Sequence, residues 1–185
     1  MVTKTRVSLA DYLALEECKP YLELIDGEVV QKSAFDMKAG CIAAELIVDL
    51  GTYLRPTKEA EVSTQLRHLV RSEEWAFLPD VSVTLKSRMT TPIQDIVDPV
   101  EVLPDLAIDV LSPESRPGRV VQKIAHYMAS SVRLLWVVDP EAERVTIWEP
   151  GKAPRDLAAP AVLSAAPVLA GFELNLAALF ASLHE

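Results

Sequence analysis

The chain has 185 residues, half of them hydrophobic and 24% charged, with a formal net charge of −9. That length suits one domain, residues 1–185, with a sizeable core, and the composition is globular rather than disordered. The acidic balance argues against tight, nonspecific nucleic-acid binding driven by overall charge.

The opening MVTKTRVSLADYL lacks the continuous apolar run of a secretory signal. No apolar stretch reaches the roughly 18 residues of a membrane span, and the Ala/Leu-rich 157–170 is interrupted by Pro160 and Pro167. Cys18 and Cys41 give neither a disulfide framework nor a zinc pattern, and Cys41 reads as a core filler. A cytoplasmic protein without membrane contact is the expectation.

In chain order, Ser8 followed by Asp11 predicts an N-cap and a short helix through Leu15. YLELIDGEVV predicts two short strands around an Asp26-Gly27 turn. Asp36 caps a predicted long helix carrying Cys41, Ile42, Leu46, Ile47, Leu50 and Leu54, which Pro56 ends. Strands are predicted at 62–70 and 75–85, then a surface loop at 86–101, a strand at 105–111, a helix at 119–130, and strands at 133–138 and 144–149. FELNLAALFASL reads as a strand end passing into a short helix. The mixed order suggests an α/β domain around a mixed sheet. Arg67, His68 and Arg71 read as a solvated strand face, and Trp75, Trp136 and Trp148 as core or interface residues.

One strand contradicts its own chemistry. In LAIDVL, Asp109 interrupts an apolar run, and a carboxylate there is costly unless paired, hydrogen-bonded or metal-bound. Asp80, after Pro79 in FLPDVSVTL, repeats the problem. Two such acids on neighbouring strands can share a Mg²⁺, which takes one or two carboxylates and keeps several waters. Alternatively, each caps a turn or pairs with an arginine. Lys123 lies on the following helix with Tyr127 four residues on, able to point back at the strand end. His68, His126 and His184 have no metal-ligand spacing; Ser112 and Ser115 lack a G-x-S-x-G setting, and no glycine-rich phosphate loop occurs.

Together YLELIDGEVV (21–30), FLPDVSVTL (77–85), PDLAIDVLSPESR (104–116), Lys123 with Tyr127, LLWVVDP (134–140) and LAGFELNLAALF (169–180) resemble the bacterial putative restriction endonuclease family of the PD-(D/E)XK nucleases. The resemblance implies a restriction-endonuclease-like fold, an α+β arrangement with a mixed central sheet flanked by helices. It also implies a metal-dependent endonuclease acting on DNA with Mg²⁺ or Mn²⁺. Asp80 and Asp109 match the metal-binding acids of the two motifs, Lys123 matches the catalytic lysine displaced onto a helix, and Glu28 matches a further acid often present, which makes it a third candidate metal ligand. A homodimer is plausible on the same grounds, and an unidentified protein partner could supply DNA affinity.

The chain departs from the family pattern where Asp109 replaces a glutamate, Arg119 an acid and Lys38 a histidine. Arg119 either contacts phosphate beside Arg116 or neutralises Asp109. In the second case the protein would be a catalytically degenerate scaffold serving binding or assembly.

Overall fold

The computed structural model describes residues 6–184, so the first five residues, part of the stretch read for a secretory signal, lie outside it. The short helix is α1 (Leu9–Leu13), with the Ser8 side chain accepting from the Asp11 amide. The hairpin is β1 (Leu22–Ile25) and β2 (Glu28–Gln31). Asp26 and Gly27 both take positive φ, 54° and 72°, as a two-residue turn matched to strand twist requires. The long helix is α2 (Met37–Leu54), capped by the Asp36 carboxylate on the Ala39 amide. It buries Ala39, Ile42, Ala43, Leu46, Leu50 and Leu54, while Cys41 falls at its margin, half-buried rather than in the core.

Each of the two strands predicted at 62–70 and 75–85 divides between sheets. The first becomes β3 (Ala60–Thr64) and β4 (His68–Val70), parted at Gln65, whose φ is 51°. The second becomes β5 (Trp75–Phe77) and β6 (Val81–Leu85), parted at Leu78-Pro79-Asp80. Proline cannot donate to a ladder and marks where a strand leaves its sheet. Strands β2-β1-β5-β4 then form an antiparallel four-stranded sheet, with α1 against its own small apolar cluster.

The central sheet has six strands ordered β10-β9-β8-β7-β6-β3. Its members include β7 (Leu106–Val110), β8 (Leu134–Asp139), β9 (Arg144–Trp148) and β10 (Arg155–Ala158). β7 and β8 run parallel and the other pairs antiparallel. Parallel neighbours need a crossover, here supplied by α3 (Pro117–Ala129), with Pro117 at its first turn. The chain closes with β11 (Val162–Ser164), β12 (Glu173–Asn175) and α4 (Leu176–Ala181). β10 and β11 were not predicted: Pro160 and Pro167 around short alanine-rich segments hide any alternation.

Both faces of the central sheet are covered. On one, Leu106, Ile108, Val110, Leu134, Trp136 and Val138 pack with α2 and α4; on the other, Ala107, Leu135 and Val137 meet Phe77 and Tyr127. That double burial makes LAIDVL read as continuous apolar sequence. Strand alternation puts Asp109 on the α3 face with Ala107.

The basic group at 67–71 is not a solvated face. Arg67 and His68 are buried, and only Arg71 is exposed. Arg67 pairs with Glu17 at 2.6 Å and Asp98 at 3.4 Å, while His68 Nδ1 lies 2.8 Å from the Val102 carbonyl and its ring stacks on Phe77. Together they tie the long loop after β6 to the small sheet.

Burial lowers the His68 pKa to about 4, with the Val102 hydrogen bond opposing the shift only in part. The folded protein therefore holds a neutral imidazole, while the unfolded chain takes up a proton near pH 6.5. Its contribution is intact above pH 6.5 and is lost progressively as pH falls to about 4, by on the order of 3 kcal/mol. Urea denaturation across this range should show the decline, and His68→Gln should flatten it.

Candidate active site

Asp80 owes its position to the break between β5 and β6. Its amide donates to the Ile108 carbonyl at 2.9 Å, and its Oδ2 accepts from the Val110 amide at 2.8 Å. These bonds flank Asp109 and fasten the Pro79-Asp80 step alongside the central strand. Asp80 is 3% exposed. Its remaining oxygen, Oδ1, is buried with no aligned hydrogen bond.

Lys123 arrives from α3, held over the sheet by Tyr127 and by half-buried Val120, Ile124 and Met128. Its Nζ lies 2.9 Å from Asp109 Oδ1 and 2.8 Å from Glu23 Oε1, with the Leu78 carbonyl at 3.4 Å. Three elements, β1, β7 and α3, thus converge on one ammonium group. The Tyr127 hydroxyl faces the Asp109 carboxylate without the alignment of a hydrogen bond.

Two site residues escaped the sequence reading. Glu23 lies in LELI and reads as the outward residue of a hairpin strand. Instead it is 4% exposed, and its Oε1 also accepts from the Leu78 amide at 2.8 Å. Its signal was the one that exposed Asp109, a carboxylate in an apolar strand. Lys32, just beyond β2, had no local signal. Its Nζ lies 2.9 Å from Asp80 Oδ1 and 3.7 Å from Asp109 Oδ1.

Burial sets the electrostatics, and the neighbouring charges split its effects. Asp80 is raised, because desolvation outweighs the attraction of Lys32. Asp109 is also desolvated, yet Lys123 and Lys32 hold it lowered. Burial opposes the charge on Lys123, but Asp109, Glu23 and Asp80 overcome it and raise its pKa. Tyr127 is raised well above its ordinary value by desolvation and then by Asp109.

Glu23, Lys32, Asp80, Asp109 and Lys123 line a cleft of about 560 Å³ whose walls also include Glu28, Glu114, Ser115, Arg116 and Arg119. Arg119 pairs with Glu28 at 2.5 Å, so the arginine is engaged with the hairpin acid rather than with Asp109. Lys38 pairs with Glu141 at 2.9 Å, and neither residue lines the cleft.

Among the described residues, no group of three His, Cys, Asp or Glu side chains is placed to hold a metal ion. Mg²⁺ and Mn²⁺ do not require three, because water and substrate oxygens complete their shells. Two carboxylates bracketing a cleft, one with a buried oxygen already facing the Lys32 ammonium at 2.9 Å, fit such a cation chemically.

Removing one partner of a buried ion pair strands the other. Lys123→Met, which removes the ammonium paired with both Glu23 and Asp109, is therefore expected to lower unfolding free energy by about 3–5 kcal/mol in urea titrations. Glu28→Ala, at a more exposed pair, should cost about 1 kcal/mol or less.

The crystal structure of a putative nuclease belonging to DUF820 from Anabaena variabilis is similar to this chain, with a TM-score of 0.86 and 24% identity. The match covers 95% of this chain and 98% of that one, so the two chains share a fold. No curated protein matches the sequence. The family model Uma2, described as putative restriction endonuclease, matches residues 9–177, so the chain belongs to that family.

Proposed function

We propose that the protein is a metal-dependent nuclease hydrolysing DNA phosphodiester bonds, with Asp80 and Asp109 as ligands for Mg²⁺ or Mn²⁺. The observation that carries this reading is the convergence of the Asp80 carboxylate at the break between β5 and β6, the Asp109 carboxylate on β7 and the Lys123 ammonium in one cleft. Family membership supports it. When bound, the divalent ion polarises the phosphate and lowers the pKa of a coordinated water.

The chain's own residues supply the remaining chemistry. Asp80 is fixed through Oδ2, which leaves Oδ1 for the ion. Lys123, oriented by Glu23 and Asp109, positions the attacking water and stabilises charge developing on the phosphoryl oxygens. Arg116 and Arg119, at the start of α3, provide phosphate contacts along the cleft wall, a local basic edge on an acidic protein. Glu28, held by Arg119 on the cleft wall, would be a further acid available to the ion. A two-fold pair of chains would offer one cleft to each strand of a duplex.

A second reading has its own observation. Lys32 and Lys123 already pair with both carboxylates, as a degenerate scaffold retaining the fold for binding or assembly would require.

Mn²⁺ calorimetry and cleavage of plasmid DNA decide between them. The nuclease reading expects Mn²⁺ binding lost in Asp80→Ala and Asp109→Ala, each checked for folding. It also expects cleavage abolished by chelator and reduced about 10²–10³-fold in Lys123→Ala, with metal binding retained. A folded, metal-stripped wild type that neither binds Mn²⁺ nor cleaves would transfer the assignment to the scaffold.

A further inference from the structure

We propose that Lys32 is a resident cation closing the metal position, and that it must swing away before a divalent ion can engage Asp80 and Asp109 together. The inference rests on the reading of those two acids as metal ligands. Asp80 Oδ2 is committed to the Val110 amide, so Oδ1 is the oxygen left for an ion. Lys32 Nζ is already 2.9 Å from that atom and 3.7 Å from Asp109 Oδ1. Mg²⁺ binds carboxylate oxygen at about 2.0–2.1 Å, so an ion bridging the same two atoms contends with the ammonium group for one space.

The two lysines are held differently. Lys123 has Glu23, Asp109 and the Leu78 carbonyl around its Nζ and projects from the middle of a helix. Lys32 projects from the stretch between β2 and α2, and its ion pairs are with the two proposed ligands themselves, Asp80 Oδ1 at 2.9 Å and Asp109 Oδ1 at 3.7 Å. Its flexible four-carbon stem allows the ammonium to turn into the cleft it already lines. Lys123 stays as the fixed charge, whereas Lys32 exchanges with the metal. Before the metal arrives, Lys32 compensates the desolvated Asp80 carboxylate, which would otherwise be a buried unpaired charge.

Closure by a side chain makes the competent state a minor one and weakens apparent affinity by its fraction. Mn²⁺ calorimetry on Lys32→Ala and Lys32→Gln should therefore show binding about tenfold or more tighter than wild type. The glutamine variant preserves stem length should alanine unsettle the fold.

A second readout separates displacement from a simple charge effect. In wild type, acetylation of Lys32 by an N-hydroxysuccinimide ester, followed by peptide mass spectrometry, should rise severalfold on Mn²⁺ addition. Lys152, 66% exposed and outside the cleft, should not change. Equal affinities in wild type and variants, or a Lys32 that stays protected at saturating Mn²⁺, would overturn the inference while leaving the metal site standing. Absence of Mn²⁺ binding from wild type and both variants would overturn the metal reading and this inference with it. Binding confined to the variants would mean that Lys32 does not yield to the ion in wild type, and would overturn the exchange.

Discussion

Two hydrogen bonds fasten Asp80 to the central strand: its amide to the Ile108 carbonyl and its carboxylate to the Val110 amide. The rest of the site follows from that attachment. The chain leaves the four-stranded sheet at Phe77 and enters the six-stranded sheet at Val81, so the Leu78-Pro79-Asp80 step joins both. Because the bonds flank Asp109 on β7, the two carboxylates are neighbours by construction. The Leu78 amide, freed from strand pairing by the break, is taken up by Glu23, which draws the hairpin over the same end of the sheet.

The same strand carries a useful contrast. Asp105, just before β7, is also fully buried, but its carboxylate accepts from the Leu85 amide and pairs with Arg88 and Arg133. Those partners are guanidinium groups, planar donor forks suited to permanent pairing with a carboxylate. At the other end of β7, Asp109 is balanced by lysines, compact charges on flexible stems. Asp105 lies away from the cleft, whereas Asp109 lines it. Asp105 is sealed from solvent while Asp109 keeps an edge on the cleft, and the two differ in what could replace their partners.

The three departures from the family pattern have distinct physical consequences. Arg119 is drawn to Glu28 across the cleft and leaves Asp109 to the two lysines. Lys38 reaches Glu141, joining the start of α2 to the turn after β8. Asp109, a methylene shorter than glutamate, keeps its oxygens close to its strand, within reach of Lys123 at 2.9 Å and Lys32 at 3.7 Å. The mixture of three carboxyl groups and two ammonium groups in this small volume costs desolvation that only their mutual proximity offsets.

By itself the sequence determined the local elements whose signals are local. Ser8 and Asp36 specify caps, Asp26-Gly27 a two-residue hairpin, the α2 periodicity a buried face, and Asp80 and Asp109 an anomaly of charge within apolar strands. Ordered motifs across the chain were enough to identify the family. Only the tertiary structure decided how these pieces meet. FLPDVSVTL and VSTQLRHLV each read as one strand, and whether such a run serves one sheet or two depends on partners far along the chain. His68 looked solvated until the loop from Lys86 to Glu101 covered it. Glu23 carried a faint signal and Lys32 none, because a lysine after a hairpin is ordinarily solvated. What makes it part of the site is a pair of carboxylates delivered from residues 80 and 109, and no pattern around residue 32 encodes that encounter.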